Sequence, residues 1–322
     1  MHPLTWPPMR LRSLLALFAV AACGGNAAVE PEVPPIVPAV TTCTSLGLTA
    51  QRAGVSVPER GTGAPLDGAV FAPAGASGAL PIVSMLPGGG AQISSVEWAA
   101  CALAARGYVV AVTRPSAGAS TASYHLAAVS GIDFLASGAN PFRAAADTGR
   151  VGVAGWSLGA RSLTRTQAED ARVDALVAWD NLAVSEAGDA GSPACTNTAG
   201  TLHTPRVPAL GQASDSCLDR PADAKKTAYA AWRARGIPAM QVVFAGSTHF
   251  LWSASAPDAQ HALAHHYTLA WFDRWLKADA TATSRLLART VNGTALDAVL
   301  STRFRSAASL DGRDCEDLRA GC

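Results

Sequence analysis

Ser157, His249 and a small set of aspartates are the residues whose types and order suit nucleophilic chemistry. Ser157 lies in Gly155-Trp156-Ser157-Leu158-Gly159, a G-x-S-x-G pattern. The β-branched run Val151-Gly152-Val153 precedes it, and a helix-forming run opening on Ala160-Arg161-Ser162-Leu163 follows. A serine at such a strand-to-helix turn is pushed out above the sheet edge. There it meets a helix N-terminus whose free N–H groups can bind a developing oxyanion. The flanking glycines let neighbouring backbone approach where a Cβ would clash. The plainer alternative is a tight turn whose serine caps the helix.

A serine hydroxyl is a poor nucleophile and needs a base to take its proton. His249, in Gly246-Ser247-Thr248-His249-Phe250, follows the apolar run Val242-Val243-Phe244 and is the expected base. His125 precedes the nucleophile, against the Ser…Asp…His order of this arrangement, and His203 precedes the next strand. His261 and His265 stand four apart on one helix, but no Glu beside them completes a zinc motif. A solvated or capping role is expected for both, and no metal or organic cofactor is required. The imidazole must be held in one tautomer by a carboxylate. Asp215, in Gly211-Gln212-Ala213-Ser214-Asp215-Ser216, is placed first on strand and chain order. Asp180, ending the previous strand, is its rival, and Asp219 in the same loop is a third candidate. Two N–H donors must face the oxyanion. Leu158 after the nucleophile and Gly89 in Pro87-Gly88-Gly89-Gly90 are the expected pair. That glycine loop lacks the basic residue of a phosphate-binding loop.

The elements that must position these residues read as buried strands alternating with helices. Two short runs, residues 55–57 and 68–71, open the domain as an antiparallel pair. Apolar strands follow over 81–86, 108–113, 150–154, 175–179, 207–211 and 240–244, separated by helical stretches at 96–106, 119–136, 160–170 and 222–236. A long helix over 257–277 closes the domain. This pattern implies an α/β fold with a mostly parallel eight-stranded sheet and helices on both faces. The α/β domain is drawn at 46–280, with a C-terminal appendage over 281–322 packed on it. The stretch 181–206 is too short and too poor in apolar residues for a helical cap, so no large cap and a fairly open cleft are expected.

The chain has 322 residues, a formal net charge of +1 and 49% hydrophobic residues. These values fit a globular protein with a large core and exclude a nucleic-acid binder or a disordered chain. Arg10 and Arg12 precede a short apolar run that ends in Val20-Ala21-Ala22-Cys23. Residues 1–22 read as a signal peptide, too short to span a bilayer as a mature helix. The run into Cys23 resembles a bacterial lipobox, with an ordinary secretory signal as the alternative. Residues 23–45, with Pro31, Pro34, Pro35 and Pro38, read as a tether from lipidated Cys23. The protein is therefore expected to be exported, touching a membrane through the lipid anchor alone. Removing Cys23 from the 7 cysteines leaves an even set, which in an exported chain favours disulfides. Cys315 with Cys322 and Cys195 with Cys217 are the expected pairs, with Cys43 and Cys101 remaining.

With these residues in place, the chain resembles the cutinase-like and polyester-hydrolase (PETase-like) branch of the α/β-hydrolases, near the dienelactone-hydrolase group. The resemblance runs over residues 52–277 and rests on a series of motifs in order. These are Pro87-Gly88-Gly89, Ser94-Ser95-Val96-Glu97-Trp98, Arg106-Gly107-Tyr108-Val109-Val110, the Ser157 pentapeptide, Trp179, Ser214-Asp215-Ser216 and Gly246-Ser247-Thr248-His249. It implies a serine hydrolase of carboxylic esters, polyester or lipid-like esters among them, with Ser157, Asp215 and His249 as its triad. It further implies Gly89 and Leu158 as oxyanion donors, and Trp156 and Trp179 lining an acyl or aromatic subsite. The aromatic residue common in the family at the position of Gly89 is missing. A dienelactone- or amide-type hydrolase, or a surface protein that keeps the fold without catalysis, are the alternatives.

Overall fold

A computed structural model describes residues 38–180, 182–185, 200–216 and 221–322. The predicted signal segment, Cys23, the Cys195–Cys217 pair and Asp219 lie outside the described residues.

The chain enters a sheet at β1 (Val40–Ser45) and turns into β2 (Leu48–Pro58) and β3 (Pro65–Ala72). An alternating segment follows: β4 (Leu80–Leu86), α1 (Glu97–Ala105), β5 (Val109–Thr113), α2 (Thr121–Ala136), β6 (Ala146–Trp156), α3 (Leu158–Glu169) and β7 (Val173–Trp179). Then come β8 (Ala209–Ser214), α4 (Thr227–Ala234), β9 (Ala239–Phe244) and α5 (Asp258–Leu276). The C-terminal stretch holds α6 (Ala282–Leu286), a small ladder of β10 (Thr290–Val291) and β11 (Thr294–Ala295), α7 (Leu296–Val299), β12 (Ala307–Leu310) and β13 (Arg313–Cys315). The main sheet runs β1-β2-β3-β5-β4-β6-β7-β8-β9-β12-β13. Its six strands from β5 to β9 are mutually parallel. β5, β8 and β9 are buried along their whole length, as strands covered on both faces must be.

The eight predicted strands are β2 to β9, and the sheet is wider than predicted by three. β1 pairs with β2 along residues assigned to the tether, so the boundary drawn at residue 45 falls inside a hairpin. The disulfide Cys43–Cys101 fastens this edge strand to α1, with the Cα atoms 6.1 Å apart. At the other edge the predicted appendage supplies β12, which pairs antiparallel with β9, and β13, closed by the disulfide Cys315–Cys322. These 281–322 residues extend the sheet as well as packing on it. Among the described residues no separate cap domain covers the strand ends.

From β4 the chain steps to β5 on one side and then returns to β6 on the other. Right-handed crossovers then put α1 on one face with α5, and α2, α3 and α4 on the opposite face. The two cores follow that division: Trp98, Leu103, Tyr267 and Trp271 pack on one side, and Tyr124, Leu135, Leu163 and Trp232 on the other. The reversal leaves a crevice at the carboxyl ends of β4 and β6, where ligands bind in open α/β sheets.

α5 corrects one expectation. His261 and His265 are buried, at 3% and 8% exposure, where a solvated or capping role was predicted. The His261 ring lies flat on Trp98, centroids 3.9 Å apart, with Nε2 against the Ser253 carbonyl. Neither ring nitrogen of His265 has a hydrogen-bond partner. Burial, helped by the Arg106 and His266 charges against Asp273, pushes His265 down to about 4. The unfolded chain takes up this proton below about pH 6.5, but the folded chain does so only near its depressed value. Stability therefore rises with pH across that window, by about 3 kcal/mol at most. In His265→Leu the difference in Tm between about pH 4.5 and about pH 7.5 is expected to shrink, because this proton linkage is gone. Equal acid sensitivity of variant and wild type in thermal melts would contradict the assignment.

Candidate functional site

Ser157 stands between the last residue of β6 and the first of α3, with φ 58° and ψ −119°. A non-glycine residue there is strained, and the surroundings hold it in place. Its N–H donates to the Trp179 carbonyl at 2.9 Å, and its carbonyl accepts from Arg161 N–H at 3.1 Å. Its side chain makes no capping bond to α3, so the capping-serine alternative does not describe this turn. The glycines of the motif are required by contact. A Cβ on Gly155 would sit 2.8 Å from the Gly159 carbonyl carbon, and one on Gly159 would sit 2.5 Å from the Pro87 oxygen.

The glycine loop after β4 lies against this turn. A Cβ on Gly88 would meet the Trp156 ring at 2.9 Å and the Ser157 Cβ at 3.3 Å. One on Gly89 would meet the Leu158 side chain at 3.3 Å. The Gly88 carbonyl accepts from Tyr124 Oη at 2.8 Å and from Ala91 N–H at 3.0 Å. In a trans peptide the next N–H points opposite to that carbonyl, so these two donors set the direction of Gly89 N–H.

His249 opens a 3₁₀ turn, His249–Trp252, whose N-cap Thr248 accepts from Phe250 N–H. Its carbonyl accepts from Trp156 Nε1 at 2.9 Å, and the Trp156 and His249 rings lie 5.4 Å apart. Its Nδ1 meets Oδ2 of Asp180. Asp180 follows β7 with φ 59° and is 1% exposed. Its Oδ1 accepts from Ser214 N–H at 3.0 Å and Ser214 Oγ at 2.8 Å. Burial alone would raise the Asp180 carboxyl. The His249 hydrogen bond and charge, the Lys225 charge and the Ser214 N–H together hold it below the ordinary carboxylate range. Lys225, itself buried, puts its ammonium on the Ser214 carbonyl and 4.9 Å from the centre of the Phe304 ring. Burial lowers its pKa against the pull of Asp180 and Asp215.

The structure thus brings Asp180 to His249, and Asp215, placed first on strand order, goes elsewhere. Asp215 Oδ1 accepts from Ser301 Oγ at 2.6 Å and Oδ2 from Gly246 N–H at 3.1 Å. The reason is local. Ser214 turns its hydroxyl to Asp180, and the next residue of an extended chain faces the other way. Ser301 comes from the C-terminal stretch, far from any motif.

Trp179 is a second correction. It is fully buried, donates to Thr268 Oγ1 at 3.1 Å and stacks on Trp98 with centroids 5.9 Å apart. It is a core residue and lines no open subsite. Trp156 is 6% exposed and acts on the His249 turn through its Nε1. The aromatic side chain open to solvent here is Phe250, 59% exposed, with its ring 5.5 Å from His249 and 6.1 Å from Trp156. The sequence carries an apolar run, Phe250-Leu251-Trp252, directly after the expected base, of which Leu251 and Trp252 are buried and Phe250 is exposed. Beyond Gly89 and Leu158 a cleft of about 320 Å³ opens toward residues 114–119. Among the described residues no group of three His, Cys, Asp or Glu side chains stands ready to hold a metal.

A family model described as PETase, PET hydrolase-like, matches residues 36–190, a span that includes the Ser157 turn and Asp180. Comparison with curated proteins finds no match.

Proposed function

Because the chain belongs, over residues 36–190, to the PETase-like family of α/β-hydrolases, we propose that it is an exported serine hydrolase of carboxylic esters that works through an acyl-enzyme on Ser157. The observation that carries the reading is the buried Asp180 carboxylate on His249 Nδ1. The His249 turn is tied, through its carbonyl and Trp156 Nε1, to the residue before Ser157, and Ser157 is held at φ 58° between β6 and α3. His249 takes the Ser157 proton at Nε2 as Oγ attacks the ester carbonyl carbon. The oxyanion is met by the N–H groups of Gly89 and Leu158. The tetrahedral adduct collapses, the C–O bond to the alcohol breaks, and His249 returns its proton to the leaving oxygen. Water then attacks the acyl carbon with His249 again as base, releasing the acid and restoring the Ser157 hydroxyl. Asp180 stabilises the imidazolium formed in both halves and fixes its orientation.

Phe250, its ring edge-on to Trp156, offers an apolar surface to the acyl or alcohol group next to the reacting carbonyl. Export is supported by Cys43–Cys101 and Cys315–Cys322, since disulfides persist in oxidising compartments. Lipidation of Cys23 is part of the proposal, and wild type in the membrane fraction with Cys23→Ala released from it would support it. The function is tested by initial rates on p-nitrophenyl esters of increasing acyl length, wild type beside Ser157→Ala. Turnover by wild type alone supports the reading. A folded wild type silent on every ester overturns it, in favour of amide cleavage or a non-catalytic role.

A further inference from the structure

Among the described residues, the cleft beyond the expected oxyanion donors is lined by a single charged residue, and it is a cation. One wall is Gly89, Gly90 and Leu158, and the other is formed by residues 114–119 with Tyr124. Arg114, the residue after β5, lines this space, and its positive charge acts on the Tyr124 hydroxyl. Among the described residues no carboxylate lines the cleft, and burial raises the Tyr124 hydroxyl to about 12, so it stays neutral. Arg114 N–H donates to the Asp67 carbonyl at 2.9 Å, which fixes the backbone from which the side chain reaches. Its Nη1 stands 3.4 Å from Asp67 Oδ2, longer than a charge-assisted hydrogen bond, and the Asp67 side chain is 76% exposed. An exposed pair of that geometry contributes little, so a second carboxylate arriving from the cleft competes for the fork on favourable terms. The planar guanidinium binds a carboxylate through two parallel N–H donors, and a cleft of about this volume admits a small organic arm.

We infer that this cleft selects esters whose one arm ends in a free carboxylate, with Arg114 as the residue that binds it. The inference rests on the ester-hydrolase reading and names the substrate class of that same site. Two kinds of ester share this chemistry. In a half-ester of a dicarboxylic acid the carboxylate lies on the acyl arm, and in an ester of a hydroxy acid it lies on the alcohol arm.

The experiment measures kcat/KM for one ester of each kind beside its methyl-capped neutral counterpart, at low and high salt. Wild type is expected to favour one of the anionic esters over its neutral partner by about tenfold or more at low salt, and by less at high salt. Whichever pair shows the preference identifies the arm that enters the cleft. In Arg114→Gln the ratio is expected to fall to about one or below, and in Arg114→Lys to be partly retained, since an ammonium lacks the fork. Asp67→Asn, which removes the competing carboxylate, is expected to raise it. A wild-type ratio at or below one for both pairs overturns the inference while leaving the hydrolase reading intact. A ratio unchanged in Arg114→Gln of normal melting temperature does the same. If neither the anionic nor the neutral esters turn over, the hydrolase reading itself has failed and this inference falls with it.

Discussion

Asp180→Asn is expected to lower kcat by about a thousandfold to ten-thousandfold, while Asp215→Asn stays within about tenfold of wild type. The size of the first effect follows from which oxygen already has partners. Oδ1 of Asp180 receives both Ser214 donors, at 3.0 and 2.8 Å. In the asparagine variant those donors keep the amide oxygen at that position, and the NH₂ group is turned toward His249 Nδ1. The imidazole must then accept at Nδ1 and carry its hydrogen on Nε2, the tautomer that cannot take the Ser157 proton. Asp215→Asn disturbs the bonds to Ser301 and Gly246 and removes one of the two carboxylate charges acting on Lys225, but leaves the Asp180–His249 contact in place. Steady-state rates on one short p-nitrophenyl ester decide between the two acids, and a large loss in Asp215→Asn with a small one in Asp180→Asn would reverse the assignment. Asp180 also ties stability to pH. Its folded pKa lies below the ordinary value, so its contribution is complete above about pH 4 and is lost as pH falls through the depressed value.

Ser157→Ala is expected to reduce kcat by about 10⁵-fold or more, since the nucleophile and its base act as a unit. Its effect on stability is expected to be small. The serine side chain makes no capping bond to α3, and alanine keeps the same positive-φ backbone. A melting temperature close to wild type together with lost turnover separates chemistry from folding. A variant that keeps a tenth of the rate would mean that another group attacks the ester.

Features written in short stretches were legible in the sequence. The Ser157 turn is five residues between a strand and a helix, and its glycines are dictated by contacts of 2.5 to 3.0 Å that leave no room for a Cβ. The six parallel strands β4 to β9 were readable because burial on both faces demands apolar runs. The acid was harder. Asp180 and Asp215 both end strands of the same sheet, and the choice depends on which way neighbouring side chains turn. Ser214 faces Asp180, Asp215 faces Ser301, and Ser301 is 86 residues away from Asp215 along the chain. Trp179 was misread for a similar reason: a tryptophan at a strand end suits a rim as well as a core, and only packing against Trp98 and Thr268 decides. The outer strands β1, β12 and β13 were missed because β1 is largely exposed and β12 and β13 are only four and three residues long. His261 and His265 sit at helical spacing on a face whose burial depends on how α1 meets α5.

The most direct test of the central claim is intact-protein and peptide mass spectrometry after brief exposure to a fluorophosphonate or an activated ester. The account predicts one adduct per chain, located on Ser157, formed rapidly by wild type, greatly slowed in Asp180→Asn and absent from Ser157→Ala. An adduct on another residue, or a folded wild type that takes no label while turning over esters, would contradict it.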